Sequence, residues 1–513
     1  MTLGVLDNVD LAERFAASCT LMRGKQMKFQ MKKTAFVVLC ALFSATAVSE
    51  NIKSATQEQP LISDHQSESV SVFESAVYGD LFGTPEMRSI FSDKAMVNQW
   101  IKAEVALAKA QAEVGIIPVE AYESIAKAGD NLTIDYAELK AGTNKVGRGI
   151  SSLVAQFKQA GDENVSDYLH FGSTTQDIMD TATAVQVHEG IQLIRADLVK
   201  LVNQLADMAD EHKQTVMLAR SNGQDAIPTT FGLHLTTYMM ELARNIDRLD
   251  EAASRITVQV GSTVGTLAPY GDKGLALQQA YADEIGLNAP IAPWNPSRDV
   301  FAEAVQTLAM VNATLGRVAD DVNNLSRTQV NELQEGEGGA SSTMPQKRNP
   351  RASEFMGGFY RMGKMYNAAA LDMMSHTDAR QGSPWILEWS VVPESFMVTS
   401  ASIDRAQRMF AKLIVNEAQM RENFGTANHY AMSESLMNHL TDELGRSEAY
   451  KLVKSAIKTS SPEDTLLDVI ENNPSINQHL SEQEIAEIME PSNYLGSSVQ
   501  IVDRSVEYVR NKY

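Results

Sequence analysis

Three stretches carry residues whose types and spacing could do chemistry: Phe171–Asp177 (FGSTTQD), Arg220–Gly232 (RSNGQDAIPTTFG) and Glu335–Pro350 (EGEGGASSTMPQKRNP). Small hydroxyl, amide and glycine residues form helices poorly and offer many hydrogen-bonding groups. The third stretch is the richest. Gly336, Gly338 and Gly339 make its approach flexible enough to open and close over a pocket. Ser341 and Ser342 follow, then Lys347-Arg348-Asn349-Pro350. A serine hydroxyl is a poor base in water. It becomes usable only where cations and amide dipoles stabilise the alkoxide and water is excluded. Lys347 could supply the cation, and Asn349 with the loop amides the donors. Taken alone, the same composition describes an ordinary solvated loop. A phosphate-cradling loop is excluded because GxxxxGK followed by Ser or Thr is absent, and no strand pattern precedes the glycines as a dinucleotide site requires.

The elements that must hold these stretches read as helices. Ile191, Ile194, Leu198, Leu201, Leu205 and Met208 recur three and four residues apart and draw one apolar seam. Leu235, Met239, Leu242, Ile246 and Leu249 repeat the pattern, as do Leu308, Val311, Leu315, Val318, Val322 and Leu325. A bundle of long, nearly antiparallel helices buries such seams. Strand alternation is scarce. The spacing therefore predicts an all-α fold, with the three stretches as loops on a rigid bundle, where binding and catalytic groups tend to sit.

With 513 residues, 44% hydrophobic and 21% charged, the chain has room for two or three domains of ordinary globular composition. A formal net charge of -21 argues against nucleic acid and anionic membranes as partners, although a pocket can still be locally basic. Both cysteines, Cys19 and Cys40, lie in the first fifty residues, so no disulfide framework or cysteine–metal site is expected beyond them. Near the N-terminus, Met31-Lys32-Lys33-Thr34 is basic, Ala35–Phe43 is apolar, and Ser44-Ala45-Thr46-Ala47 is small. That order predicts a signal peptide near 31–47, with Met27 or Met31 as the start and an exported, periplasmic product. The alternative is a cytoplasmic chain with a disordered tail. The apolar run is too short for a stable membrane anchor. Residues 50–69 read as a polar linker.

SSTMPQKRNP resembles the GSSxMPxKxNP signature of the fumarase/aspartase superfamily, with Ala340 in place of its leading glycine. Phe171–Asp177 resembles the second segment of that superfamily, and Arg220–Gly232 the segment written RTHxQxAxPTTxG. The resemblance covers nearly all of the chain beyond the N-terminal segment. Within the superfamily, GSTTQDIMDTA, GTLAPYGDKG, SPWILEWSVVPES and NYLGSSVQIVDR are more like 3-carboxy-cis,cis-muconate cycloisomerases than adenylosuccinate lyases. The histidine that the latter carry near Thr143-Asn144-Lys145 is absent.

The resemblance implies a three-domain fold: an N-terminal helical domain over 70–178, a central long-helix bundle over 179–423 and a C-terminal helical domain over 424–513. It also implies a homotetramer with shared active sites, and a lyase that needs no cofactor or metal. Such an enzyme catalyses reversible β-elimination, or its intramolecular addition counterpart, next to a carboxylate of a small polycarboxylate. By that analogy Ser341 takes the Cβ proton, while Lys347 and Asn349 support the dianionic aci-carboxylate. Thr174, Thr175 and Gln176 match residues that hold substrate carboxylate oxygens, and Ser221, Asn222, Gln224 and Ser342 fall at substrate-facing positions. Arg380 matches a substrate-binding arginine. Read from the residues alone, Ser173 or Thr174 equally caps a helix from Ile178, Gln224 is an ordinary loop amide, and Arg380 is an exposed helix-end arginine.

One departure bears on mechanism. Many relatives have a histidine where this chain has Asn222, and an amide cannot act as a general acid. Glu354 matches the glutamate that pairs with that histidine. Either the leaving group departs unprotonated, as a carboxylate can, or His170 or His376 donates the proton. Three readings stay open: a cycloisomerase-like lyase, an amine or ether lyase releasing fumarate from a substituted succinate, and a non-catalytic structural or binding relative.

Overall fold

A computed structural model describes residues 69–340, 343–426 and 430–513. The expected signal peptide, both cysteines, Ser341 and Ser342 lie outside the described residues. Residues 77–513 pack as one unit, and residues 69–76 belong to a separate N-terminal one. Helices dominate. The N-terminal part holds α1 (Pro85–Phe91), α2 (Asp93–Glu113), α3 (Val119–Asp130), α4 (Tyr136–Val146), α5 (Ile150–Ala160) and α6 (Glu163–Tyr168). Their starts are written in the sequence: Thr84, Ser92, Asp135 and Asp162 each accept a backbone N–H of the following turn. Trp100, Leu107, Leu153 and Tyr281 are among the side chains of one core here, and Ile125, Phe157 and Val165 belong to a second.

The bundle is built from α7 (Thr175–Glu211), α8 (Phe231–Ser254), α10 (Asp299–Leu325), α11 (Arg351–Met373) and α12 (Gly382–Ala411), with the shorter α9 (Gly274–Ile285) outside it. The three seams lie inside: of the residues named above only Met208 is not fully buried. Each such side chain contributes about 1.5–3 kcal/mol on burial, so these contacts outweigh intrinsic helix propensity. The C-terminal helices α13 (Glu417–Thr426), α14 (Ser433–Leu444), α15 (Arg446–Thr459), α16 (Leu466–Glu471), α17 (Pro474–Asn477) and α18 (Glu482–Met489) follow. Leu436, Leu440, Val453, Leu466 and Ile470 lie at the centre of their core. The last helix, α19 (Ser498–Lys512), returns to the bundle. There Arg510 pairs with Asp207 and Asp210, and Lys512 and Tyr513 hold Asp247.

Two of the expected loops contain strands. Arg220–Gly232 is largely an antiparallel hairpin of β1 (Val216–Ser221) and β2 (Gln224–Thr230). Asn222 and Gly223 have φ of 54° and 73°, the two left-handed residues of a type I′ turn. Short pairs also form between β3 (Leu333–Gln334) and β6 (Ile414–Val415), and between β4 (Gly339–Ala340) and β5 (Arg348–Asn349). Among the described residues no helix is long and apolar enough to cross a membrane.

Candidate active site

The first stretch sits at the head of α7. Thr174 is the N-cap, and the helix starts at Thr175 rather than at the expected Ile178. The reason is Asp177, which accepts the Thr174 N–H at 3.0 Å and those of Gly261 and Ser262 at 3.2 and 3.0 Å. Burial pushes its carboxyl up to about 7 against those three donors. Arg380 is exposed and donates to Thr174 Oγ1 at 3.1 Å, so two candidates 206 positions apart meet. Thr175 is half-buried beside them. Gln176 points inward instead, with 1% exposure, and donates to Asp180 Oδ2 at 2.9 Å and the Asn295 carbonyl at 3.0 Å. Four residues apart on one helix, Gln176 and Asp180 share the core-facing side, which takes Gln176 off the rim.

The two histidines differ. His170 Nδ1 lies 2.6 Å from Glu104 Oε1 and 3.0 Å from Ser173 Oγ, in a left-handed backbone at φ 63°. Burial alone would lower this imidazole, but the charge and hydrogen bond of buried Glu104 outweigh it, and the pKa is raised above the ordinary 6.5. His376 is lowered, first by burial and then by the charge of Arg298. His170 is therefore the better proton store. Because its folded pKa lies above the unfolded value, the stabilisation is fully present below pH 6.5 and is lost as pH rises through the raised folded value. Melting curves of the protein should show that decline, and His170→Gln should flatten it while lowering stability on the acid side.

Beneath this head lies a buried charge network with no spacing signal in the sequence. Arg298, fully buried, donates to Asp180 at 2.7 and 3.0 Å and to Glu388 at 2.8 and 2.5 Å. Trp385 Nε1 donates to Asp180 Oδ1 at 3.0 Å. Burial raises the Glu388 carboxyl, and the Arg298 charge opposes that. The network ties α7, α10 and α12 together directly below Thr174 and Arg380.

The second and third stretches share a different place. Arg220 forms two 2.7 Å bonds with the buried carboxylate of Glu332, which also accepts from Asn423 at 2.7 Å. Glu332 immediately precedes β3, so the hairpin is anchored to the root of the glycine-rich stretch. Ser221, Asn222 and Gln224 are exposed at the hairpin tip. Buried Glu335 then accepts the N–H groups of Ala352 and Ser353 at 2.9 Å and the Ser353 hydroxyl at 2.6 Å, capping α11 from a distance. Lys347 is exposed, and half-buried Asn349 lines a cavity of about 570 Å³ with Gln346, Arg348 and Asn331. Glu354 pairs with Arg351, one helical turn away, and not with a histidine.

These two clusters lie at opposite ends of one helix. α7 has 37 residues, about 55 Å at 1.5 Å per residue, with Thr174 at its start and the hairpin just past its end. Among the described residues the head gathers Thr174, Thr175, Arg380 and His170. The far end gathers Ser221, Asn222, Gln224, Lys347, Asn349 and Glu354. No single chain brings the two sets within reach of one small molecule.

A long-helix bundle carrying these three stretches is the fumarase/aspartase fold, and the chain is an enzyme of that superfamily. It belongs to the family described as Lyase, matched over residues 82–361, and residues 430–505 match the family described as Adenylosuccinate lyase C-terminus. The chain is 33% identical to 3-carboxy-cis,cis-muconate cycloisomerase of Bradyrhizobium diazoefficiens, over 84% of this chain and 98% of the relative. It is 31% identical to N-acetyl-S-(2-succino)cysteine lyase of Dickeya dadantii, over 84% of this chain and 96% of the relative. Among solved structures, 3-carboxy-cis,cis-muconate lactonizing enzyme from Pseudomonas putida superposes with a TM-score of 0.79 at 29% identity, covering 84% of this chain and 98% of that one.

Proposed function

We propose that this enzyme is a cycloisomerase-like lyase acting on a small polycarboxylate, with Ser341 as the general base. The carrying observation is the head cluster, where Arg380 and Thr174 offer adjacent donors to a carboxylate. In the elimination direction the Ser341 alkoxide removes the Cβ proton, and the C–H electron pair moves into the neighbouring carboxylate as an aci-dianion. Lys347 and Asn349 stabilise that charge. The pair then forms the C=C bond as the Cα substituent leaves with its own electrons. No oxidant or reductant is needed. The addition direction runs the same steps backwards.

Separation of the two clusters by the length of α7 supports an oligomer in which the head of one chain faces the hairpin and glycine-rich stretch of others. Met365, Leu371, Met374, Ile386 and Trp389 are exposed on α11, α12 and the turn between them, and they offer apolar surface for that assembly. A homotetramer is the proposed state. Export by the segment near 31–47 belongs to the same reading, and N-terminal sequencing of the mature protein tests it: intact residues before Ala35 would reject export.

A second reading, a lyase releasing fumarate from an N-, O- or S-substituted succinate, is favoured by the His170–Glu104 pair. A raised imidazole can protonate a poor leaving group. Ultraviolet absorbance with muconolactone-type and substituted-succinate panels separates the two. Turnover of lactone or muconate alone supports the first reading, fumarate release the second, and neither rejects both.

A further inference from the structure

Arg380 of the head cluster and Arg148 beside it have no carboxylate partner among the described residues. In a chain of net charge -21 that is unusual: acidic side chains are abundant, yet among the described residues none pairs with these two. Arg148, between α4 and α5, sits 4.8 Å from the ring centroids of both Trp385 and Trp389, which meet edge to face. One guanidinium nitrogen donates to the Gly147 carbonyl at 2.6 Å. Another lies so close to the start of α12 that a Cβ on Gly382 would stand 3.5 Å from it. The cradle is rigid, because Trp385 is buried and its indole N–H is held by Asp180 of the charge network. A planar guanidinium packed against two aromatic rings that also touch each other keeps its remaining N–H groups pre-aimed for a carboxylate. Arg380, anchored on Thr174, lies near enough for its like charge to act on Arg148. Burial first, and then the Arg380 charge, lower the Arg148 pKa, as expected for two cations awaiting an anion.

We propose that Arg148, with the N-terminal N–H groups of α12, forms a subsite for an additional carboxylate of the substrate beside the one held by Arg380, so that this enzyme selects tricarboxylates over dicarboxylates. The inference rests on the polycarboxylate reading above and adds to it the residue that counts carboxylates. Arg148 is a specificity-determining residue and takes no part in proton transfer. Its charge complements the third carboxylate, while Arg380 and Thr174 hold another that both substrate classes share.

Trp385 and Trp389 report on the subsite, because an anion bridging Arg148 changes the field at both rings. The experiment titrates tricarballylate (propane-1,2,3-tricarboxylate) and succinate into the full-length protein and follows tryptophan fluorescence. Wild type, Ser341→Ala, Arg148→Gln and Arg148→Lys are compared, with melting temperature and oligomeric state measured for each. The expected result is saturable tricarballylate binding at least tenfold tighter than succinate in wild type and Ser341→Ala. Arg148→Gln loses tenfold or more for tricarballylate and under twofold for succinate. Arg148→Lys recovers part of the loss, since a lysine keeps the charge without the planar stack. Equal losses for both ligands, or a fall in oligomer stability with the tricarballylate-to-succinate ratio unchanged, would assign Arg148 a purely structural role and overturn the proposal alone. Wild type that binds neither ligand would overturn the subsite together with the polycarboxylate reading.

Discussion

Ser341→Ala is expected to lower kcat by roughly 10²–10⁴ while leaving KM nearly unchanged, the signature of losing a base that acts only in the transition state. The size follows from the chemistry. Removing a proton from carbon next to a carboxylate creates two negative charges on one small fragment, and without a positioned acceptor only water can take that proton. Lys347→Gln should lose a comparable factor, because a neutral amide cannot stabilise either the alkoxide or the aci-dianion. Solvent deuterium incorporation at Cβ, followed by mass spectrometry, checks the assignment independently of product release. Full turnover and full exchange in Ser341→Ala would end the serine mechanism. Folding should be unaffected, because the anchors of that stretch, Glu332, Glu335 and the β4–β5 pair, remain.

The largest expected loss of stability belongs to Arg298→Met. Removing this guanidinium leaves Asp180 and Glu388 facing each other with 0% and 2% exposure and no counter-charge. Breaking a buried ion pair by deleting one partner costs about 3–5 kcal/mol. Urea unfolding of the variant should show that drop in midpoint. Adding Asp180→Asn and Glu388→Gln should recover part of it, since neutral amides tolerate burial better than unpaired carboxylates. A variant as stable as wild type would mean that water reaches the network.

The helical seams were legible because burial imposes a 3.6-residue period that local sequence displays directly, and Ile191 to Leu205 or Leu308 to Leu325 need no partner information to be read. The hairpin was not read, although Asn222-Gly223 is a strong turn signal; the polar residues around it and Pro228 obscured the strand alternation. Thr174 and Arg380 could be singled out one at a time, but their contact depends on how α7 and the α11–α12 turn meet in space. The same holds for Asp180, Arg298 and Glu388, drawn from three distant segments of the chain, and for Arg148 against its tryptophans. Tertiary electrostatics leaves no periodic trace. Gln176 reads from the sequence as a position ahead of a helix from Ile178; a cap signal locates a helix start only to within a turn, and the start at Thr175 puts Gln176 on the inward face.

Glu335 has a wider significance. By gripping the first amides of α11 it fastens the upstream foot of the glycine-rich stretch to the helix that begins downstream, so the two ends of that stretch are held together at its base. With its ends fixed in this way, the stretch can exchange side chains other than Ser341, Lys347 and Asn349 at little cost to the bundle. Turnover rate in such a protein could drift through changes around its base while its thermal stability stayed still.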